Sequence, residues 1–288
     1  MQWKRTPGAD ATVSHTENYR RVWTRIWVKR AWHTSCYQDS QQGQTRTQKR
    51  VWVEEVQNDH RNADIPECLI MTWYAFAIHQ CACYSSCPRK IHDVAVKWTV
   101  RYLKGTRDKG YILWPSEEKR LDCYVDADFT GMWNTQDSDD PNSIKSRTGY
   151  VIVFTNCPVL WVSKLQTEIT LSTTEAEYIA LSQAMHDIIP MQTLLAEIAK
   201  LTKLKTGKTT AHSTVFEDNK GCVELVAAPK MRPRTKHIAI KYHHFREHVR
   251  RGNIQIQWID TKSQLADIFM KPLAEPLFQS LREQLLGW

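Results

Sequence analysis

The sequence predicts a mixed α/β domain in which five strands form a central sheet and helices pack on its faces. Residues 121–129 alternate apolar and polar side chains with the two-residue period of a half-buried strand. Four more short apolar runs, bounded by turn-forming residues, begin near positions 148, 159, 213 and 254. A capping box at residues 172–175 begins a long amphipathic helix, which Pro190 is predicted to break or kink.

The chain divides into three predicted parts. Residues 1–72 show no sustained period and no convincing caps, so we expect either disorder or a segment outside its proper context, and we assign it no role. Residues 73–117 form a predicted helical connection element, and a short strand is expected at residues 110–115. Residues 118–288 form the α/β domain.

Composition narrows the class of protein. The 288 residues are 42% hydrophobic and 24% charged, which is enough apolar material for a core. The formal net charge of +8 favours a polyanionic partner. The longest apolar run is too short to span a bilayer, and eight cysteines in a chain of this length do not indicate a disulfide scaffold. We therefore expect an intracellular protein, not secreted, that acts on nucleic acid.

Four carboxylates stand in contexts that suggest a common site. Asp is disfavoured in strands, yet Asp126 and Asp218 stand at strand ends, and Asp267 falls in a predicted helical turn. Glu177 shares a helical face with apolar residues, whereas Glu175 is predicted to point toward the start of the helix and toward water. A carboxylate on an apolar face is costly unless a cation meets it there.

Together the four carboxylates predict a site for two divalent metal ions. Mg²⁺ prefers oxygen ligands, and Mn²⁺ is the alternative ion. Two such ions can clamp the attacking and the leaving oxygen in phosphodiester cleavage. Any one Asp at a strand end is more often a turn or capping residue than a metal ligand, so the hypothesis depends on the joint pattern.

The most basic stretch of the chain, residues 230–251, has two interpretations. It could be a solvated helix face, or it could contact nucleic acid phosphates through Arg232, Arg234 and Lys236.

Several long motifs, in order, carry a resemblance to a known family. The segments YVDADF, KSRTGYVIVF, CPVLWVSKLQTEITLSTTEAEYIAL, FEDNKG, PRTKHIAIKYHHFRE and QLADIFMKPL resemble the ribonuclease H domain of copia-type LTR retrotransposon polyproteins. Upstream, FAIHQCACYSSCPRK and VRYLKGTRDKG resemble the region that connects the reverse transcriptase to that domain. The resemblance covers residues from about 74 to 288 and implies a ribonuclease H-like fold.

The resemblance also implies an activity and its residues. Asp126, Glu177, Asp218 and Asp267 would hold two Mg²⁺ ions, one activating water and the other stabilising the leaving 3′ oxygen. The substrate would be the RNA strand of an RNA–DNA hybrid, and a polymerase domain outside this chain would be a partner. No polymerase activity is expected from the chain itself, because its one Asp pair, at residues 139–140, falls in a polar loop.

Some positions depart from the family pattern. Met270 stands where Thr is usual, Phe129 where Trp is frequent, and Trp98, Trp114 and Cys83 where Arg is usual. These departures support an alternative: a catalytically decayed, nucleic-acid-binding remnant of a reverse transcriptase/ribonuclease H polyprotein.

Two short patterns suggest zinc. Residues 244–248, HFREH, match a zinc-peptidase pattern, but the resemblance already accounts for the segment. His79, Cys81, Cys83 and Cys87 suggest a zinc knuckle, but their irregular spacing favours structural cysteines.

Overall fold

The computed structural model describes residues 75–83, 90–106, 108–131, 143–202, 213–228 and 243–288. The predicted low-order segment, residues 1–72, lies outside these ranges. The described elements, in chain order, are α1 (Ala75–Cys83), α2 (Lys90–Gly105), β1 (Leu121–Asp128), β2 (Arg147–Phe154), β3 (Cys157–Leu165), α3 (Thr173–Thr202), β4 (Ser213–Glu217), α4 (Lys220–Ala227), α5 (Arg246–Arg250), β5 (Ile254–Trp258), two 3₁₀ helices (Thr261–Ser263 and Leu265–Phe269) and α6 (Glu275–Leu286).

The five strands form one mixed sheet in the order β3-β2-β1-β4-β5. Strands β1, β2 and β3 pair antiparallel, whereas β4 runs parallel to β1 and β5 runs parallel to β4. β1 is therefore the central strand and belongs to both the antiparallel and the parallel half of the sheet. This architecture, with helices on both faces, confirms the predicted fold class.

Each face of the sheet has its own hydrophobic core because side chains alternate along β2. Tyr150 and Ile152 face the cluster that includes the buried side of α3. Val151 and Val153 face the opposite cluster, which contains residues of α2, the second 3₁₀ helix and α6. The chain after β5 thus returns to cover the sheet face opposite α3.

Helix α3 continues through Pro190, so the predicted break there was wrong, and the alternative, a kink, stays a prediction. Pro190 has no N–H, so a backbone carbonyl one turn earlier lacks its usual donor. Pro190 is exposed, and water can hydrogen-bond that carbonyl instead. Glu175 points toward the start of the helix, as predicted, and accepts a hydrogen bond from Leu171 N at 2.7 Å. Its predicted exposure to water was wrong, because the side chain is buried. None of the described helices, α3 included, is both long and apolar enough to cross a bilayer.

The segment between α2 and β1 is not a strand, contrary to expectation. Residues 110–115 have no regular structure, and Ile112 N donates to Leu286 O at 2.9 Å. Trp288 Nε1 donates to Gly110 O at 2.8 Å, so this segment is attached to the end of α6. Helices α1 and α2 contact the domain. Leu103 of α2 belongs to the hydrophobic cluster opposite α3, which we call the second core, and His79 of α1 hydrogen-bonds Arg147 of β2. The domain boundaries at 72/73 and 117/118 stay predictions.

Candidate metal centre

Three of the predicted carboxylates lie at one edge of the sheet because β1, β4 and β5 run parallel. Asp126 lies near the end of β1, and Asp218 follows β4 directly. Asp267 lies in the second 3₁₀ helix, which begins soon after β5 ends. Parallel strands deliver their carboxyl ends to the same edge of a sheet, and this brings residues from distant parts of the chain together.

Glu177 reaches the same edge from α3. It lies on the side of the helix packed against β1 and β2, as its helical phase predicted, and is 6% exposed. Carboxylate oxygens of Asp126, Glu177 and Asp218 all lie within 4.8 Å of one another. Within the described residues this is the one group of His, Cys, Asp or Glu side chains with a geometry suited to a metal ion. Glu177 Oε2 is buried and has no hydrogen-bond partner there.

Asp267 lies beside this trio and is linked to it by a lysine. Lys271 Nζ is 2.7 Å from Asp267 Oδ1 and 3.3 Å from Asp126 Oδ2. Asp126 is 3% and Asp267 1% exposed, so both are almost fully buried carboxylates. Lys271 was not singled out from the sequence. Its position four residues after Asp267, close to one helical turn, was the available signal.

Burial and mutual repulsion between neighbouring carboxylates shift the pKa values of the acids in this cluster. Burial, with the neighbouring Glu217 and Asp126, raises the pKa of Glu177 well above its usual value. Burial and the hydrogen bond to Asp126 raise the pKa of Asp267 to about 8. The pKa of Asp126 is lowered, since burial, which opposes ionisation, is outweighed by the hydrogen bond to Asp267 and by Lys271. Without a cation, therefore, protons are retained in the cluster.

Asp218 is half-buried and fixed by neighbours that the sequence did not reveal. Thr261 Oγ1 donates to Asp218 Oδ2 at 2.8 Å, and Trp258 Nε1 donates to its backbone carbonyl at 2.9 Å. The indole of Trp258 also lies under the Lys220 ammonium, 4.5 Å from the ring centroid. Burial and the charge of Asp126 raise the pKa of Asp218.

Two further buried polar residues support the site. Glu217 is fully buried next to the trio and accepts from Asn219 N at 3.1 Å, while its Oε2 has no hydrogen-bond partner among the described residues. Gln264 Nε2 donates to Val125 O at 2.8 Å, and Gln264 Oε1 accepts from Ala266 N at 3.3 Å. Gln264 thus ties the end of β1, next to Asp126, to the 3₁₀ helix that carries Asp267. Its position three residues before Asp267 was its only signal in the sequence.

Met270, one of the departures from the family pattern, is accommodated by a glycine. Its side chain is fully buried in the second core cluster and lies over Gly149, the β2 residue paired with Asp126. A Cβ on Gly149 would collide with Met270 Cγ and approach its Sδ to 2.8 Å. The Met270 side chain therefore depends on the absence of a side chain at position 149.

The remaining predicted positions lie elsewhere. Arg232, Arg234 and Lys236 lie outside the described residues, as does the Asp pair at residues 139–140. In the HFREH segment, Glu247 pairs with Arg251 at 3.0 Å and His244 stacks on His186, so these side chains do not form a metal group. Of the suggested zinc knuckle, Cys81 is buried, while Cys87 and the Cys83 side chain lie outside the described part of the chain.

A mixed five-stranded sheet with flanking helices and an acidic group at one edge of its parallel half defines a ribonuclease H-like domain. A retrovirus-related Pol polyprotein from transposon RE2 of Arabidopsis thaliana is 32% identical over 212 residues, 73% of this chain. The corresponding polyprotein from transposon TNT 1-94 of Nicotiana tabacum is 33% identical over 196 residues, 68% of this chain. The chain therefore belongs to the Pol polyprotein family of copia-type transposons, which confirms the predicted resemblance.

The chain spans only 14% of the length of each of these two polyproteins. A solved structure of LC11-RNase H1, isolated from compost by a metagenomic approach, is 18% identical. That similarity covers 53% of this chain and 94% of the other, with a TM-score of 0.35. No family model matches the chain.

Proposed function

We propose that this chain is a Mg²⁺-dependent endoribonuclease that cleaves the RNA strand of RNA–DNA hybrids, with Asp126, Glu177, Asp218 and Asp267 as metal ligands. The observation that carries the proposal is the convergence of three carboxylates within 4.8 Å at one sheet edge. Kinship with retrotransposon Pol polyproteins supports the substrate class.

The donor set fits hard divalent cations. It offers oxygen ligands only, and the unpartnered Glu177 Oε2 is an acceptor that lacks a donor among the described residues. Bound Mg²⁺ would supply a water of lowered pKa and neutralise charge developing on the phosphate. Asp126, Glu177 and Asp218 would hold such ions, and Thr261 would orient the Asp218 carboxylate through the bond it already makes.

The proposal is tested by cleavage of a labelled RNA–DNA hybrid by the chain in Mg²⁺, with RNA and DNA duplexes as substrate controls. Asp218→Asn should abolish cleavage while leaving the fold intact, because the substitution removes one ligand charge at a half-buried position. Asp93→Asn is the matched control, since Asp93 pairs with Lys97 on the surface of α2, and it should cleave like the parent.

Each outcome has a distinct meaning. Cleavage that Asp218→Asn abolishes and Asp93→Asn retains supports the proposal. Hybrid binding by all variants without cleavage supports the alternative, a nucleic-acid-binding remnant. If the chain neither binds nor cleaves the hybrid, the result would show that the domain requires other parts of a polyprotein, such as a polymerase domain.

Arg232, Arg234 and Lys236 are proposed to contact the phosphates of the hybrid. Replacing all three with Ala should weaken binding and reduce the slope of log affinity against log salt by up to about 2–3, because each contact releases about one counterion. An unchanged slope would support the solvated-face interpretation.

A further inference from the structure

Lys271 occupies an unusual position among the ion pairs described in this structure. The pairs Lys97–Asp93 and Arg251–Glu247 lie on the surface, with side chains that are at least 38% exposed. In contrast, Lys271 is 33% exposed and contacts two acids whose side chains are 1% and 5% exposed. Surface pairs contribute little, whereas a cation beside buried acids offsets a large desolvation penalty.

The lysine contacts two of the four carboxylates that are proposed to hold metal, Asp126 and Asp267. Its Nζ is 3.3 Å from Asp126 Oδ2 and 2.7 Å from Asp267 Oδ1. Mg²⁺ binds carboxylate oxygens at about 2.0–2.1 Å. An ion on those oxygens and the ammonium would be close like charges, and such charges repel strongly where water is excluded. The two cations therefore compete for Asp126 and Asp267.

The backbone of Lys271 is fixed, but its side chain can move. Lys271 N donates to Asp267 O at 3.3 Å, which extends the turn that carries Asp267. The flexible four-carbon side chain is one-third exposed, so the ammonium can leave the cluster for solvent without any change of fold.

We propose that Lys271 is a built-in counter-cation that neutralises Asp126 and Asp267 in the metal-free protein and competes with divalent ions for them. The inference rests on the proposed metal-binding function and deepens it. Lys271 is thus a positioning residue: it keeps the buried acids together before metal binds and weakens the binding of the ion that displaces it.

The test compares the full chain with Lys271→Gln and with a matched control, Lys262→Gln, which removes an exposed lysine from the neighbouring 3₁₀ helix. Mg²⁺ affinity is measured by calorimetric titration, and melting temperature is measured in EDTA and in saturating Mg²⁺. Lys271→Gln should bind Mg²⁺ about tenfold more tightly, because a competing unit charge has been removed. It should melt lower than the parent in EDTA, and Mg²⁺ should reduce that difference.

Lys271→Arg and Lys262→Gln should behave like the parent in EDTA. If Lys271→Gln does not fold in EDTA, the inference requires that it folds in Mg²⁺, and failure to fold in both would overturn it. The inference would also be overturned if Lys271→Gln bound Mg²⁺ with the affinity of the parent, or if Mg²⁺ did not reduce the difference in melting temperature between the two. Absence of Mg²⁺ binding by both the parent and Lys271→Gln would overturn it as well. These readouts need no hybrid cleavage. A parent that cleaves while the affinities stay equal refutes this inference alone, and tighter binding without cleavage by the parent refutes the nuclease proposal alone.

Discussion

Gln264 offers a sharp test of how the site is held together. Gln264→Leu keeps nearly the same volume but removes the amide that joins β1 to the 3₁₀ helix of Asp267. The Val125 carbonyl would lose its donor at 2.8 Å, and the Ala266 amide would lose its acceptor at 3.3 Å. The contact with Phe216 O, at 3.4 Å, is long and adds little.

The expected cost follows from burial. Gln264 is fully buried, so water cannot replace the lost hydrogen bonds. At about 1–3 kcal/mol for each of the two buried groups left unsatisfied, Gln264→Leu should lower the free energy of unfolding by about 2–6 kcal/mol. Hybrid cleavage should fall as well, because Asp126 and Asp267 lose their common anchor.

Urea unfolding in EDTA measures this change, with Gln279→Leu as the control. Gln279 makes a comparable amide hydrogen bond to Glu275, but on the exposed side of α6, so its loss should cost less than about 0.5 kcal/mol. Equal, small losses for the two variants would refute the role assigned to the buried amide.

Three further predictions concern the same edge of the sheet. The folded state raises the pKa of Asp267 from 3.8 to about 8 and so favours its protonated form; this stabilisation is complete below about pH 4 and is lost as pH rises through about 8. Thermal melts in EDTA should therefore show lower stability at pH 8 than at pH 5, and the opposite trend would contradict this. Gly149→Ala should cost about 1–3 kcal/mol in urea unfolding, because its Cβ collides with Met270, and a neutral result would show that Met270 can move aside. Trp258→Phe removes the donor to Asp218 O and should weaken Mg²⁺ binding roughly fivefold by titration; parental affinity would exclude this anchoring role.

The sequence predicted the elements whose signal is local. The alternation in β1 and the helical phase of Glu177 each depend on neighbours a few residues away, and the structure agrees with both. The predicted exposure of Glu175 was wrong because helical phase ignores the loop before the helix, where Leu171 supplies a donor. The predicted break at Pro190 was wrong because the cost of proline depends on exposure, which a sequence pattern does not give.

The supporting residues of the site could not be predicted because their roles depend on strand order. Lys271 and Gln264 act on β1 only because the chain crosses the sheet and returns beside it after β5. Nothing within a few residues of either side chain indicates that partner. The four predicted ligands were selected jointly by residue type, context and resemblance, and their role as ligands stays a prediction.

The wide separation of these partners sets an order of events during synthesis. Gln264 follows Val125 by 139 residues, and Lys271 follows Asp126 by 145. At about 5–20 residues per second, roughly seven to thirty seconds separate the synthesis of Val125 and Asp126 from that of Gln264 and Lys271. During that interval β1 lacks the Gln264 amide and Asp126 lacks its lysine. A ribosome that stalls just before residue 264 would therefore hold a chain with all five sheet strands and three of the four proposed ligands, but without Gln264, Asp267 and Lys271.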